Sequence, residues 1–209
     1  MRALVLFSGT GSVEKGLRSK FGAKGVDIVS VDNDPKWNST HRMDARAFYT
    51  QRVYPPGYFD IIWASPPCTE YSYAKTVGVR KIRESNALVK ATFRYLAQMR
   101  PKYWFVENPV NLLRHQPFMK VFERFRNVCT YCKYGADYKK PTCIWSNCKL
   151  NLRVCDRDTP CAHFKRYGKH RVTCQHGPTP NGTQGMGNGH NVYPVPLRLT
   201  TSLFSQMQA

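Results

Sequence analysis

Acidic side chains are scarce in this chain. Its 209 residues include 13 Asp and Glu against 32 Lys and Arg, which gives a formal net charge of +19 at pH 7. The shortage is uneven, because residues 1–79 carry 10 basic and 7 acidic side chains whereas residues 80–209 carry 22 and 6. Charge concentrated in one part of a chain indicates a polyanionic partner, most often nucleic acid. The alternative is a basic protein whose charge only maintains solubility.

Long apolar runs, internal repeats and a secretory signal are also lacking. No stretch approaches the ~20 apolar residues that a membrane helix needs. Met1 leads straight into a short apolar run, without the charged region and cleavage site of a signal peptide. These absences predict an intracellular protein without a membrane partner. In a reducing compartment the 8 cysteines favour metal binding or catalysis over a disulfide framework.

Short apolar runs alternate with helical patterns along the first half of the chain. Four of these runs predict buried strands. They lie at residues 2–7, 26–31, 59–63 and 103–106. Residues 14–21 and 84–99 instead place apolar side chains at helical spacing. This alternation predicts one α/β domain with a mostly parallel, Rossmann-like sheet and helices on both faces.

The candidate functional residues each follow one of the predicted strands. Gly9, Asp32, Cys68 and Glu107 come at four successive strand ends, where ligands bind in parallel sheets. The turn Gly9-Thr10-Gly11 lets a ligand approach the backbone, and an acid about 20 residues later can accept two ribose hydroxyls. A nucleotide-like cofactor is therefore predicted. NAD is disfavoured because the third glycine of its fingerprint is absent, and a purely steric role for the glycines is the alternative.

Two prolines precede Cys68 in Ser65-Pro66-Pro67-Cys68. They fix the backbone and remove two N–H donors, which predicts a rigid turn that orients the thiol. A cysteine in such a place is a candidate nucleophile, although an isolated cysteine is usually a small buried hydrophobe. Glu107-Asn108-Pro109 presents a carboxyl group at the same edge, where it can exchange a proton beside the nucleophile. A capping or salt-bridged carboxylate is the alternative.

These motifs resemble those of the DNA (cytosine-5) methyltransferases and follow that family's order over nearly the whole chain. In chain order they are Phe7-Ser8-Gly9-Thr10-Gly11, Asp32, Asp44 in Met43-Asp44-Ala45, Pro67-Cys68, Glu107-Asn108-Pro109 and Asn191-Val192-Tyr193-Pro194-Val195-Pro196-Leu197. The Tyr134-Gly135 region is similar to a compact phage- and virus-type branch. The resemblance implies a class I S-adenosylmethionine-dependent methyltransferase fold. It also implies a location in a bacterium or phage-infected cell, or in the nucleus or cytoplasm of a virus-infected eukaryotic cell.

The resemblance further implies methyl transfer from S-adenosylmethionine to C5 of cytosine in double-stranded DNA. Cys68 would add to C6 of a flipped-out base, and Glu107 would act as the acid at N3. Lys140 would be a third catalytic residue, since it falls on the first arginine of the family's Gln-x-Arg-x-Arg motif, and Thr142 falls on the second. The implied cofactor-binding residues are Phe7, Gly9, Thr10, Gly11, Asp32, Asn33, Asp44, Pro66 and Asn191.

The same resemblance divides the chain by role. Residues 1–147 and 188–209 would form the catalytic domain, and residues 148–187 a short target-recognition insert that reads two to four bases or has little specificity. The cations of this region, together with Lys139 before it, suit phosphate contacts with DNA. They are Lys139, Lys149, Arg153, Arg157, Lys165, Arg166, Lys169 and Arg171. The sequence leaves the oligomeric state open, and a monomer is favoured.

Cysteines and histidines crowd the segment from residue 129 to residue 176. Zinc would stabilise a short insert that lacks a core of its own. The predicted ligands are Cys148, Cys155, Cys161 and His163, with Cys174 as a substitute. Cys129 and Cys132 are expected in a strand, where their side chains do not converge. The irregular spacing matches no paired Cys-x-x-Cys pattern, so reduced thiols in a loop are the alternative.

Two other functions stay open from the sequence. The short insert and the high charge would also suit cytosine-5 methylation of a structured RNA. A non-catalytic nucleic-acid-binding relative is the second, favoured by the altered arginine motif and opposed by the intact Cys68 and Glu107.

Overall fold

The strand and helix bounds are those of a computed structural model, which describes residues 1–73, 75–170 and 194–207. The strands are β1 (Arg2–Leu6), β2 (Asp27–Asp32), β3 (His41–Arg42), β4 (Ile61–Ala64), β5 (Tyr103–Pro109), β6 (Arg126–Thr130) and β7 (Pro141–Ser146). The α-helices are α1 (Ser12–Phe21), α2 (Ala45–Thr50), α3 (Ile82–Met99), α4 (Ala162–Tyr167) and α5 (Leu197–Ser205). Short 3₁₀ helices lie at Thr69–Tyr71, Leu112–His115, Pro117–Phe125 and Tyr131–Tyr134.

One sheet contains all seven strands, in the order β3-β2-β1-β4-β5-β7-β6. β1 pairs in parallel with β2 on one side and with β4 on the other, and β4 pairs in parallel with β5. β7 is antiparallel to both of its neighbours, β5 and β6. From β1 the chain continues outward to β2 and β3 and then returns to β4 on the other side of β1. The strand order therefore reverses between β1 and β4, and open α/β sheets bind ligands at such a reversal. The predicted Rossmann-like α/β fold class is confirmed.

The apolar runs explain why the central strands are buried on both faces. Successive strand residues face opposite sides, so Ala3 and Val5 of β1 pack with α1 and α5, whereas Leu4 and Leu6 pack with α2 and α3. The same alternation recurs in β4 and β5. Continuous apolar runs of this kind are typical of strands covered on both sides. In the described ranges no helix is long and apolar enough to cross a bilayer.

Helices α1 and α5 approach each other closely at Gly16. A Cβ atom at this position would overlap Thr200 Oγ1 of α5, and Thr200 is fully buried. The absence of a side chain at Gly16 therefore lets the C-terminal helix pack against the helix that follows the glycine loop.

We expect Gly16→Ala to lower the free energy of unfolding by about 1–3 kcal/mol, because the added methyl group overpacks the contact with Thr200. The sign of this change distinguishes the two cases, because alanine at an unhindered helix position raises the free energy of unfolding by up to about 1 kcal/mol relative to glycine. Urea unfolding followed by circular dichroism measures the change. Lys15→Ala, at an exposed position of α1, is the matched control. Equal stability of the two variants would contradict the close contact.

Candidate active site

The glycine turn after β1 is held by the acidic residue at the end of β2. The Gly9 N–H donates to Asp32 Oδ2 at 2.8 Å, and the Asp34 N–H donates to Asp32 Oδ1 at 2.9 Å. Phe7, Gly9 and Gly11 all have positive φ angles, of 59°, 53° and 68°. Such a value is rare for a residue with a side chain, so the turn at Phe7 is strained and depends on its surroundings. Asp32 thus shapes the loop and retains further lone pairs for a ligand.

A buried carboxyl group lies directly beneath this turn. Ser8 Oγ donates to Glu14 Oε1, and burial raises the pKa of Glu14. The second carboxyl oxygen, Oε2, is buried without a hydrogen-bond partner in the described part of the chain. An orphaned acceptor of this kind at a ligand-binding turn fits a ligand that brings a donor. Glu14 belongs to none of the sequence motifs. Its position in the first turn of the helix that follows the glycines is the one sequence feature that points to it.

Asp44 is the N-cap residue of α2. Its carboxylate accepts bonds from the Arg46 backbone N–H at 2.7 Å and from the Arg46 guanidinium at 2.8 and 3.0 Å. These hydrogen bonds hold the pKa of Asp44 below its usual value. The Met43 N–H donates to the Asp32 carbonyl, which connects Asp44 to the end of β2. Asn33 is exposed beside them.

The turn with Cys68 and the end of β5 are joined by buried amide groups. Asn108 Nδ2 donates to the Pro66 carbonyl at 2.9 Å, and Asn111 Nδ2 donates to Asn108 Oδ1 at 2.8 Å. Pro66 and both asparagines are buried, and Cys68 is half-buried. Because β4 and β5 are neighbours in the sheet, this network fixes the two strand ends relative to each other.

Glu107, Lys140 and Tyr131 form one buried group beside the thiol. Tyr131 donates its hydroxyl to Glu107 Oε1 at 2.9 Å, and Lys140 Nζ lies 3.9 Å from the same oxygen. The Lys140 ammonium also lies 4.7 Å from the centre of the Tyr131 ring. Burial raises the pKa of the Cys68 thiol; the charge of Lys140 opposes this rise and the charge of Glu107 adds to it. The structure therefore brings the three predicted catalytic residues together and adds Tyr131.

Tyr131 was not foreseen, because it precedes Lys140 by nine residues and lies in the 3₁₀ helix after β6. Thr142, the other departure from the arginine motif, is fully buried in β7, and its hydroxyl donates to the Lys140 carbonyl at 3.3 Å. Thr142 thus supports the backbone of Lys140. The predicted cofactor residue Asn191 lies outside the described residues, as do Cys174 and Arg171.

Most of the predicted DNA-binding cations are exposed. They are Lys149, Arg153, Arg157, Lys165, Arg166 and Lys169, and Lys139 is half-buried. A cavity of about 390 Å³ has Lys133, Arg153, His163 and Arg198 in its wall. Lys133 and Arg198 are distant from the insert in sequence, so only the fold shows that they belong to this basic surface.

Three thiols and one imidazole meet at the same end of the molecule, but they are not the predicted set. The ligand atoms of Cys132, Cys155, Cys161 and His170 all lie within 4.8 Å of one another. Of the predicted ligands this group contains only Cys155 and Cys161. Cys148 instead packs against the core face that includes α1 and α5. The group is compatible with a structural metal ion.

The other cysteines and histidines of this region also differ in part from the sequence prediction, for local structural reasons. His163 lies in the first turn of α4, where its ring centre is 4.7 Å from that of Tyr167. The prediction that Cys132 lies in a strand is wrong, since β6 ends at Thr130 and the following 3₁₀ helix turns Cys132 towards the insert. Cys129 does lie in β6, where it is fully buried.

Comparison with known proteins finds a viral relative in sequence and a solved structure with a partly similar fold. The chain is 27% identical over 188 residues to the "Probable DNA (cytosine-5)-methyltransferase" of Frog virus 3 (isolate Goorha), covering 79% of this chain and 80% of the relative. A crystal structure described as a "putative DNA modification methyltransferase encoded within prophage" of E. coli is 15% identical with a TM-score of 0.47. That match covers 72% of this chain and 49% of the other, so the chain spans about half of its length.

The family model described as C-5 cytosine-specific DNA methylase matches residues 1–139, well over half of the chain. This stretch contains the glycine turn, Asp32, Asp44, Cys68 and Glu107, in the order that the motifs predicted. The resemblance is therefore confirmed: the chain belongs to the C-5 cytosine-specific DNA methylases and is an enzyme of the DNA (cytosine-5) methyltransferase type.

Proposed function

We propose that the protein transfers a methyl group from S-adenosylmethionine to C5 of cytosine in duplex DNA, through a covalent bond between Cys68 Sγ and C6 of a flipped-out base. The observation that carries the proposal is the junction of two strand ends. Cys68 follows β4 and Glu107 lies in β5, and the Asn108–Pro66 hydrogen bond of 2.9 Å joins them. A nucleophile and an acid on one rigid frame can act on the same pyrimidine ring.

The turn after β1 fits S-adenosylmethionine. Each Asp32 carboxylate oxygen accepts one backbone N–H, and its remaining lone pairs can accept the two ribose hydroxyls. Glu14 Oε2 lacks a partner among the described residues, and the ammonium of the methionyl group would supply one. When bound, S-adenosylmethionine supplies an electrophilic methyl group on its sulfonium. The neighbouring residues Phe7, Thr10 and Gly11 would line the cofactor, and Asp44, which the Met43–Asp32 hydrogen bond connects to the end of β2, would contact the adenine.

Cys68 and Glu107 have complementary tasks in the reaction. Cytosine C5 alone is too weak a nucleophile to take a methyl group from a sulfonium. When the Cys68 thiolate forms a bond to C6, the C5–C6 electron pair becomes available at C5, and Glu107 neutralises the charge that develops at N3. After C5 is methylated, a base removes the C5 proton. The electron pair of that C–H bond restores the C5–C6 double bond and expels the Cys68 thiolate.

Tyr131 and Lys140 orient the acid. The Tyr131 hydroxyl occupies Glu107 Oε1, which leaves Oε2 as the oxygen that can face the pyrimidine N3. Lys140 adds a positive charge next to both Glu107 and Cys68, so it favours the thiolate form of the nucleophile. A lysine acts here as a point charge and does not supply the planar fork of an arginine.

The basic surface would hold the DNA. A base inside a duplex cannot reach Cys68, so the target base must be flipped out while the protein holds the flanking backbone. The exposed cations between residues 149 and 169 and the cations that line the cavity suit phosphate contacts.

DNA affinity should therefore depend strongly on salt, whereas cofactor affinity should not. If about six phosphates are contacted, DNA affinity should fall about 10³-fold between about 50 and 200 mM salt. Affinity for S-adenosylmethionine should change by less than about twofold, because its site uses short-range contacts with Asp32 and the glycine turn. Fluorescence anisotropy of a labelled duplex and calorimetry with the cofactor measure the two. If salt weakened the binding of DNA and of S-adenosylmethionine to a similar extent, the assignment of the basic residues to DNA alone would be contradicted.

The choice of DNA is tested by methyl transfer to matched substrates. The protein is incubated with radiolabelled S-adenosylmethionine and with DNA and RNA duplexes of the same sequence. Incorporation into the DNA duplex, located at cytosine C5 after digestion, supports the proposal. Incorporation into RNA alone would overturn it, and a DNA duplex that already carries 5-methylcytosine is the control for the position of transfer.

A further inference from the structure

The strongest unassigned feature is the group of thiols around His170. Cys132 comes from the 3₁₀ helix after β6, Cys155 and Cys161 flank a loop of the insert, and His170 follows α4. The three thiols are buried and the imidazole is half-buried. Side chains from four separate points of the chain therefore converge on one place.

All four ligand atoms lie within 4.8 Å of one another, and two of their distances are close to those of a tetrahedral zinc site. With Zn–S bonds of about 2.3 Å and a Zn–N bond of about 2.0–2.1 Å, the edges of the tetrahedron measure about 3.5–3.8 Å. His170 Nε2 lies 3.5 Å from Cys155 Sγ and 3.3 Å from Cys161 Sγ. Three sulfurs and one imidazole nitrogen are also a common ligand set of structural zinc, because soft thiolates select this metal over hard cations.

Neighbouring groups support the charged form of these ligands. The Cys161 backbone N–H donates to Cys155 Sγ at 3.2 Å, and the Phe164 N–H donates to Cys161 Sγ at 3.4 Å. Such bonds orient metal-bound thiolates and offset their charge. Phe164 also packs against His170, with ring centres 5.3 Å apart, and so fixes the orientation of the imidazole.

The segment that carries these ligands has few other means of staying in place. Helix α4 buries none of its six residues; its Phe164 and Tyr167 are exposed, as is the nearby Val154. It is attached to the catalytic domain by the packing of Leu150 and Leu152 against the core and by hydrogen bonds from backbone N–H groups to side-chain oxygens. The Cys155 N–H donates to Thr130 Oγ1 at 2.8 Å, and the Arg153 N–H donates to the Tyr134 hydroxyl at 2.9 Å. A segment without a core is the usual setting of a structural metal.

We infer that Cys132, Cys155, Cys161 and His170 bind one structural Zn²⁺, which fastens the recognition segment to the 3₁₀ helix Tyr131–Tyr134. This helix carries Tyr131, whose hydroxyl contacts Glu107, directly before the ligand Cys132. The metal would thus also position Tyr131, which supports the catalytic acid Glu107. This consequence rests on the proposed function. Metal binding itself does not depend on the catalytic proposal.

The metal is tested first on the unmodified protein. Purification without chelator or added metal, followed by elemental analysis, should give about one zinc per chain. Cobalt replacement should give the visible absorption of a tetrahedral site with thiolate charge-transfer bands. A zinc content near zero that added zinc does not raise would overturn the inference. A disulfide between any two of the three cysteines, found by mass spectrometry, would overturn it equally.

The ligand set is tested by paired variants. Cys155→Ser and His170→Ala should lower zinc affinity by at least about tenfold in competition with a chromophoric chelator. Cys148→Ser and His163→Gln should retain wild-type affinity, because neither side chain belongs to the group. His170→Cys should restore binding, since four thiolates also form a tetrahedral zinc site. Zinc loss in Cys148→Ser but not in Cys155→Ser would assign a different site and refute this one.

The link to the catalytic acid has a separate readout. Removal of zinc by a chelator should lower the rate of covalent adduct formation with a 5-fluorocytosine duplex, with little change in affinity for S-adenosylmethionine. Restoring zinc should restore the rate. If zinc is bound but its removal leaves this rate unchanged, the positioning role is wrong while the metal site stands. If no adduct forms in any state, the proposed function fails and the zinc measurements still decide the metal site.

Discussion

Cys68→Ser should abolish methyl transfer, with a loss of at least about 10³-fold in the single-turnover rate. Serine preserves the shape of the side chain, but its hydroxyl ionises far less readily than a thiol and cannot add to C6 at a useful rate. The rigid turn should keep its geometry, because the Asn108–Pro66 bond does not involve the thiol. Affinities for DNA and for S-adenosylmethionine should therefore stay close to those of the wild type.

The measurement uses a duplex that carries 5-fluorocytosine at the target position. Fluorine at C5 cannot be removed as a proton, so a protein that forms the S–C6 bond and transfers the methyl group stays attached to the DNA. Wild-type protein should give a covalent complex on a denaturing gel, and Cys68→Ser should give none. Cys148→Ser is the matched control, since Cys148 packs against the core after β7, whose last residue pairs with Phe105, nearer the start of β5 than Glu107. An adduct with Cys68→Ser would assign the nucleophile to another residue.

The pH dependence of adduct formation follows from the surroundings of the thiol. Burial raises the pKa of Cys68, so the reactive thiolate becomes more abundant as pH rises through that pKa. The rate of adduct formation should therefore increase above neutral pH. Lys140 lowers this pKa, and Lys140→Gln should shift the rise to a higher pH. A shift to lower pH would show that Lys140 does not favour the thiolate.

The sequence predicts those parts of the site that local patterns determine. Each of the residues Gly9, Asp32, Cys68 and Glu107 follows or ends an apolar run, and strand ends of a parallel sheet meet at one edge. The same runs predict β1, β2, β4 and β5. β3 has only two residues, and β7 lies between β5 and β6 although it follows both in sequence, so its position depends on tertiary pairing.

The residues that were missed are placed by chain reversals. Helix α4 is only six residues long and ends at Tyr167, and the next residue, Gly168, turns the backbone with a φ of 67°. This turn carries His170 back to Cys155 and Cys161, whereas His163 stays on the helix beside Tyr167. Tyr131 reaches Glu107 because the chain reverses between β6 and β7. No periodicity of hydrophobic residues reports such reversals, so the ligand and support residues could only be found in the folded chain.

Glu107→Gln should lower the single-turnover rate of methyl transfer by about 10²–10⁴-fold. Glutamine has nearly the same shape and can still accept the Tyr131 hydroxyl at Oε1, so the buried group should remain intact. Its amide can donate a hydrogen bond to the ring, but it cannot transfer a proton to N3. The barrier to addition of Cys68 at C6 therefore rises, and cofactor affinity should be unchanged.

Tyr131→Phe tests the orientation of Glu107 separately from the proton transfer by Glu107. This variant keeps the carboxyl group and removes one hydrogen bond to it, worth about 1.5–3 kcal/mol if the carboxylate is ionised. The expected loss is about 10–100-fold, smaller than that of Glu107→Gln. Glu123→Gln, at a surface pair with Arg126, is the matched control and should leave the rate unchanged. Rapid-quench measurement of labelled methyl transfer ranks the three variants. A Glu107→Gln rate within about threefold of wild type would remove Glu107 from the mechanism, because an essential acid cannot be replaced by an amide at so small a cost.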